Sequence, residues 1–230
     1  MHNSLVDVPF GSTLIFVNPS TPDGLLYEMP SLLKQWKSSG CKLIIDESFL
    51  DFCQSESVSS ALAHYPNLYI IKSLSKFYGC AGIRIGFLMA QTQVIDALKC
   101  LEPAWKVSSF DMAYMQKALA NTDFISHTKH QTLKLRADLL GVLTKSGLFA
   151  EIYLGQANFL LTRLLDDCDG YTLQHLLAAT RILVRVCDNF AGLDARYVRF
   201  AVKEAEAIKQ LENALKIVSL ADLKTTIAIV

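Results

Sequence analysis

Apolar residues arrive first as short runs, each closed by polar ones. Residues 13–17 (TLIFV) stop at Asn18-Pro19, and S-T-P-D-G follows, where Pro22 and Gly24 signal a turn. Residues 28–40 predict a helix, with Pro30 in its first turn, Leu32, Leu33 and Trp36 on one face, and Gly40 at its end. Residues 42–45 (KLII), 68–71 (LYII) and 83–89 (IRIGFLM) predict three further strands. Strands with so few polar positions, joined by helix and loop, predict an α/β sheet covered on both faces. From about 92 to 147 the pattern is mostly helical, with Leu133, Leu135, Leu139, Leu140 and Leu143 at helical spacing before Gly147. Beyond it, LFAEIYL, ANFLLTRL, ILVRVC and YVRFAV read as strands around a helix at 171–180, and 203–217 reads as a last helix. The change of texture places a domain boundary near 147: a large α/β domain at 1–147 and a small α+β domain at 148–230. The apolar tail from Ser219 onward suggests no role.

Composition narrows the class. Of 230 residues, 51% are hydrophobic and 19% charged, which excludes a disordered chain. With 22 basic and 22 acidic residues there is no long-range field for nucleic acid or an anionic membrane. No apolar run reaches the roughly 18 residues of a membrane span. The first residues lack a signal-peptide pattern, so the expected location is the cytoplasm. The six cysteines fit no zinc template and read as buried reduced thiols. His127 and His130 share a helix face without a third ligand, so no metal site is expected.

Candidate chemistry lies at the strand ends. In open α/β sheets ligands sit at the carboxyl ends of the strands. Here those ends carry Asn18, Asp46 and the group Ser73–Lys76, with Arg84 eight residues beyond Lys76. A lysine beside a carboxylate is also what a plain ion pair looks like. The combination, however, is what pyridoxal phosphate requires: a lysine for a Schiff base, an acid for the ring nitrogen, and hydroxyl and cationic groups for the phosphate.

Several segments resemble the fold-type I aminotransferases that use this cofactor. They are N18-P-S-T-P-D-G24, D46-E-S-F49, S73-L-S-K-F-Y-G-C-A-G-I-R-I-G-F87, A-N158-F-L-L and Y-V-R199-F, in the family's order from about Leu14 to Leu215. The histidinol-phosphate aminotransferase branch is the nearer likeness. Within it the threonine-phosphate decarboxylases of cobalamin synthesis are similar at Phe49, at S-L-S-K-F-Y, at Pro103-Ala104-Trp105 and at 185–199.

The resemblance implies a three-layer large domain with a mixed, mostly parallel sheet, N-terminally incomplete, plus a small α+β domain. It implies Lys76 as the Schiff-base and proton-shuttling residue, and Asp46 on the pyridine nitrogen. Asn18 would meet the phenolic oxygen, and Ser73, Ser75 and Arg84 the cofactor phosphate. Arg199 would take the substrate carboxylate, Arg185 its phosphate, and Asn158 would lie nearby. The substrate would be a small phosphorylated amino acid and the assembly a homodimer. Decarboxylation is preferred over transamination; a truncated homologue acting only in assembly is the remaining reading. From the residues alone, Arg199, Arg185 and Arg196 could equally be solvent-facing, Ser75 could cap a turn, and Tyr78 and Trp105 read as packing residues. The family's opening strands, its Gly-rich phosphate loop and its ring-stacking aromatic precede the Asn18 motif and have no counterpart here. The expectation is therefore a fragment or truncated form, whose 230 residues alone bind cofactor weakly or not at all.

Overall fold

A computed structural model describes residues 8–224. They form two compact units, one of residues up to 19 together with 26–127, the other of 20–25 together with 128 onward. The N-terminal residues 1–7 and the tail residues 225–230 lie outside the described residues.

In the first unit β1 (Thr13–Val17), β2 (Lys42–Asp46), β3 (Leu68–Ser73) and β4 (Gly86–Met89) make one sheet in that order. β1, β2 and β3 run parallel and β4 is antiparallel. The parallel pairs need crossovers, supplied by α1 (Met29–Ser38) and by the 47–67 segment with its two 3-10 turns. Register puts Leu43, Ile45, Leu68 and Ile70 on one face, where Met29, Trp36 and Tyr65 bury them. Phe16 meets Trp36 edge to face at 5.1 Å. The opposite face, marked by the register row Val17, Asp46, Ile71, Leu88, is more open: Ile15 is 74% and Ile71 42% exposed. Burial on both faces, expected from the strand composition, is thus complete on the face that α1 and Tyr65 cover and partial on the other.

The 83–89 run does not form one strand. Only 86–89 pairs, because Ile83 and Ile85 turn away to pack with Leu74, Cys80 and Met115. Helices α2 (Thr92–Lys99) and α3 (Ser109–Ala120) follow, then α4 (Thr122–Ser146), whose latter part belongs with the second unit. Tyr78 is a packing residue, stacked on Phe124 at 5.7 Å and edge-on to Phe77. Trp105 is not: it stands 94% exposed, contrary to expectation.

The second unit holds an antiparallel sheet of β5 (Phe149–Tyr153), β6 (Phe159–Leu164), β8 (Tyr197–Ala201) and β7 (Arg185–Val186), in that spatial order. It packs with α4, α5 (Gly170–Ala179), α6 (Ala205–Ile217) and α7 (Leu220–Lys224) around Leu139, Leu160, Leu164, Leu173 and Leu211. The tail gains a role here: Leu223 is fully buried in this core. ILVRVC yields only a two-residue strand. Five cysteines are buried thiols, but Cys100 is exposed.

Candidate active site

In the first unit, hydrogen bonds gather the strand ends. Asp46 Oδ1 accepts the Ser48 N–H at 2.8 Å, turning the chain just after the carboxylate. Ser48 Oγ accepts the Ser73 N–H at 3.0 Å, which ties the end of β2 to that of β3. The Ser73 and Ser75 hydroxyls lie 3.1 Å apart. Leu74 N–H donates to the Ile85 carbonyl at 3.2 Å, so the Arg84 segment runs alongside the serines. The Asn18 N–H donates to the Asp46 carbonyl at 3.0 Å. Asn18, Asp46, Ser73 and Ser75 thus share one rim.

The two lysines of this region differ. Lys72 is held by Asp51 at 2.7 Å in a mostly buried ion pair. Lys76 is exposed, makes no ion pair among the described residues, and sits 4.6 Å from the Phe49 ring centroid. Arg84 is likewise exposed, with Nη1 donating only to the Ala81 carbonyl at 3.2 Å. Asn18 has a job beyond the one implied for it. Its buried carboxamide accepts the Tyr27 N–H at 2.9 Å, with Nδ2 3.5 Å from the Tyr27 carbonyl, and so staples the turn after β1.

In the second unit the arginines sort into two kinds. Arg196 is paired with Asp166 and Asp194, each at 2.7 Å, and Arg163 with Asp166 and Glu151. The Asp194 pKa is lowered by its Arg196 hydrogen bond. Arg185 and Arg199 make no ion pair among the described residues, yet register sets them directly opposite each other on β7 and β8. Like charges so placed repel. Burial, and after it the Arg185 charge, lowers the Arg199 pKa. Each guanidinium lies over a ring, Arg199 over Phe159 at 4.7 Å and Arg185 over Phe190 at 5.2 Å. A half-buried Arg199 and an exposed Arg185, neither with a carboxylate partner among the described residues, form a place for an anion. Asn158, half-buried, directly precedes Phe159.

Sequence reading missed Thr21. Its Oγ1 accepts a hydrogen bond from Arg199 Nη1 at 3.1 Å. Segment 20–25 can reach its place because Gly155 has no side chain: a β-carbon there would stand 2.2 Å from the Asp23 carbonyl oxygen. The Gln156 N–H then bonds the Gly24 carbonyl at 2.7 Å. The only signal for Thr21 was its place inside N-P-S-T-P-D-G.

The first unit's groups can be tested against pyridoxal phosphate. The exposed amine of Lys76 has no carboxylate holding it. Asp46 is half-buried, with one oxygen accepting from Ser48. For a phosphate there are two adjoining hydroxyls, and the segment beside them carries Arg84, whose guanidinium is exposed and bonded to the Ala81 carbonyl. The donor set fits the cofactor. The phenolic-oxygen side is thinner, since Phe49 has no hydroxyl and Asn18 serves Tyr27.

Comparison with known proteins agrees. Residues 8–216 match the family model described as aminotransferase class I and II. The threonine-phosphate decarboxylase of Salmonella typhimurium is 33% identical over 208 residues, covering 88% of this chain and 56% of that protein. The solved histidinol-phosphate aminotransferase from Clostridium acetobutylicum superposes with a TM-score of 0.82 at 30% identity, over 89% of this chain and 63% of the other. A histidinol-phosphate aminotransferase from Sinorhizobium meliloti, solved in complex with pyridoxal-5'-phosphate, shares the fold at TM-score 0.78 and 20% identity, over 88% of this chain and 56% of that one. The chain therefore spans little more than half the length of these relatives. With fold, motif order and donor set in agreement, the chain belongs to the class I and II aminotransferases, a family whose cofactor is pyridoxal 5'-phosphate.

Proposed function

We propose that this chain carries the lysine-bearing rim and the substrate arm of a pyridoxal-phosphate enzyme that acts on a small phosphorylated amino acid in the cytoplasm as a homodimer. The observation that carries the reading is the pair Arg185 and Arg199, opposite each other in register and without a carboxylate between them. A substrate with both a carboxylate and a phosphate would relieve that repulsion at two points, and planar guanidinium groups suit either anion.

The residues divide the work. Lys76 offers an amine that can accept and return a proton. Asp46 keeps a proton on the ring nitrogen. Ser73, Ser75 and Arg84 hold the cofactor phosphate, Asn18 borders the ring, and Asn158 borders the substrate. When bound, the cofactor supplies an electron sink for a bond broken at the substrate's α-carbon. Which bond breaks depends on how Arg185 and Arg199 orient the substrate.

Loss of a carboxyl group is preferred over amino transfer, resting on the likeness to the Salmonella decarboxylase and on Phe49. The close superposition with the Clostridium aminotransferase keeps transamination as the second reading. To decide, the complete gene product is assayed with phosphothreonine, and separately with histidinol phosphate plus 2-oxoglutarate. Carbon dioxide from the first and no glutamate from the second is the expected result. Glutamate without carbon dioxide would move the protein to the aminotransferases. Neither product, with no cofactor bound, would leave the assembly-only reading.

Thr21 gives a finer test of the substrate arm. A hydrogen bond to a charged group contributes about 1.5 kcal/mol or more, so Thr21→Val should raise KM roughly tenfold while kcat moves less. Thr21→Ser should restore the parent KM. An unchanged KM in Thr21→Val would show that Thr21 does not position Arg199.

A further inference from the structure

The second unit holds a cavity that the chemistry above does not use. It measures about 310 Å³ and lies between the 181–184 segment, β8 and α6. Its floor is apolar and buried: Leu139, Phe200, Ile208 and Leu211. The polar side chains of its lining are Arg181, Lys203, Glu204 and Gln210, all exposed. None of the three charged ones makes an ion pair among the described residues. Two cations against one carboxylate leave the rim with one positive charge in excess. The cavity is separate from the substrate arm. Alternate side chains of a strand point to opposite faces, so Phe200 enters the core while Arg199 leaves it towards Thr21.

Arg181 is also an unusual residue for its position. Helix α5 ends in a Schellman pair, with the Arg181 N–H donating to the Ala178 carbonyl at 2.9 Å and the Ile182 N–H to the Leu177 carbonyl at 3.0 Å. This geometry holds Arg181 at φ 65°, a left-handed backbone that glycine adopts freely and other residues adopt at a cost. Glycine would serve the fold better there. What the arginine adds is a guanidinium at the mouth of the cavity.

We propose that this cavity binds a small carboxylic acid with a compact apolar body, the carboxylate between Arg181 and Lys203 and the body on the Phe200 floor. Size, polarity and charge select that ligand. An apolar cavity of about 150 Å³ holds benzene, so one about twice as large holds roughly two fused rings. An apolar floor with a few polar groups at the rim is the usual make-up of a small-molecule pocket, where the polar groups fix orientation. One excess positive charge suits a monoanion, and a planar guanidinium takes a carboxylate through two parallel hydrogen bonds. A phosphate dianion would bring a surplus negative charge beside Glu204. The inference goes beyond the reaction proposed above and does not depend on the chemistry assigned to Lys76.

The probe is 2-naphthoate, a two-ring carboxylate, titrated into the complete gene product by calorimetry, with 2-naphthalenemethanol as its neutral counterpart. The expected result is saturable binding of one naphthoate per chain, with the alcohol bound about tenfold more weakly. Arg181→Gly should weaken naphthoate binding about tenfold, since it removes a charge-assisted hydrogen bond. Its thermal midpoint should be no lower than the parent's, because the left-handed backbone then carries glycine. Lost binding therefore cannot be put down to a damaged fold. If Arg181→Gly fails to fold, Lys203→Gln at its exposed position carries the same expectation of weakened binding. Arg199→Ala should leave naphthoate binding unchanged, because that arginine faces away from the cavity. No saturable binding, an alcohol bound as tightly as the acid, or binding lost in Arg199→Ala but kept in Arg181→Gly would overturn the proposal. None of these readouts needs cofactor or turnover, so failure of the Lys76 assignment and failure of this site remain distinguishable.

Discussion

Lys76→Ala in the complete gene product should lose the lysine-dependent visible absorbance that pyridoxal phosphate develops with the parent protein. Turnover should fall by on the order of 10³-fold or more, as when a covalent residue is removed. Lys72→Ala is the matched comparison. Both lysines lie near the end of β3, and composition alone does not separate them. Lys72 is committed to Asp51 at 2.7 Å, whereas Lys76 has no ion pair among the described residues. Removing Lys72 should therefore disturb local stability and leave the absorbance present. A Lys76→Ala protein that keeps the parent spectrum, or a Lys72→Ala protein that loses it in folded form, would show that the assignment is to the wrong amine. Borohydride reduction followed by peptide mapping identifies the attachment point directly.

The strands were legible wherever a run of apolar residues had to be buried. Residues 13–17, 42–45 and 68–71 all form strands because each can place alternate side chains in the Trp36 core. The 83–89 run misled for the opposite reason. Ile83 and Ile85 find burial beyond the paired stretch, against Leu74 and Met115, and composition does not distinguish packing from pairing. Trp105 was misread similarly: a large aromatic predicts burial, but not whether the chain itself does the burying.

The candidate site was legible as residue types and opaque as relationships. A separation of fourteen positions between Arg185 and Arg199 allows neighbouring strands, and the pairing does bring them opposite each other. That Arg196, of the same residue type and three positions away, is spent on Asp166 and Asp194 needs the fold to be seen. Likewise Asn18 reads as a ligand group by its place after a strand, while its geometry gives it the Tyr27 peptide to hold. Thr21 was invisible because a hydroxyl in a turn has a dozen ordinary uses, and its partner is 178 residues away.

The two tryptophans set up the other large effect. Trp36 is 1% exposed, and its ring touches Phe16 edge to face in the cluster that holds α1 on the sheet. Trp36→Ala removes that contact and leaves a cavity, which typically costs about 3–5 kcal/mol. A domain's whole stability is about 5–15 kcal/mol, so a loss of this size takes a large share of it. The first unit should unfold at a much lower urea concentration, read by circular dichroism because the reporting indole is gone. Trp105→Ala removes the same side chain from solvent and should shift monomer stability by no more than about 0.5 kcal/mol. The contrast isolates burial from residue type. A Trp36→Ala protein within about 1 kcal/mol of the parent would mean that the α1–sheet contact contributes far less than a packed aromatic core should.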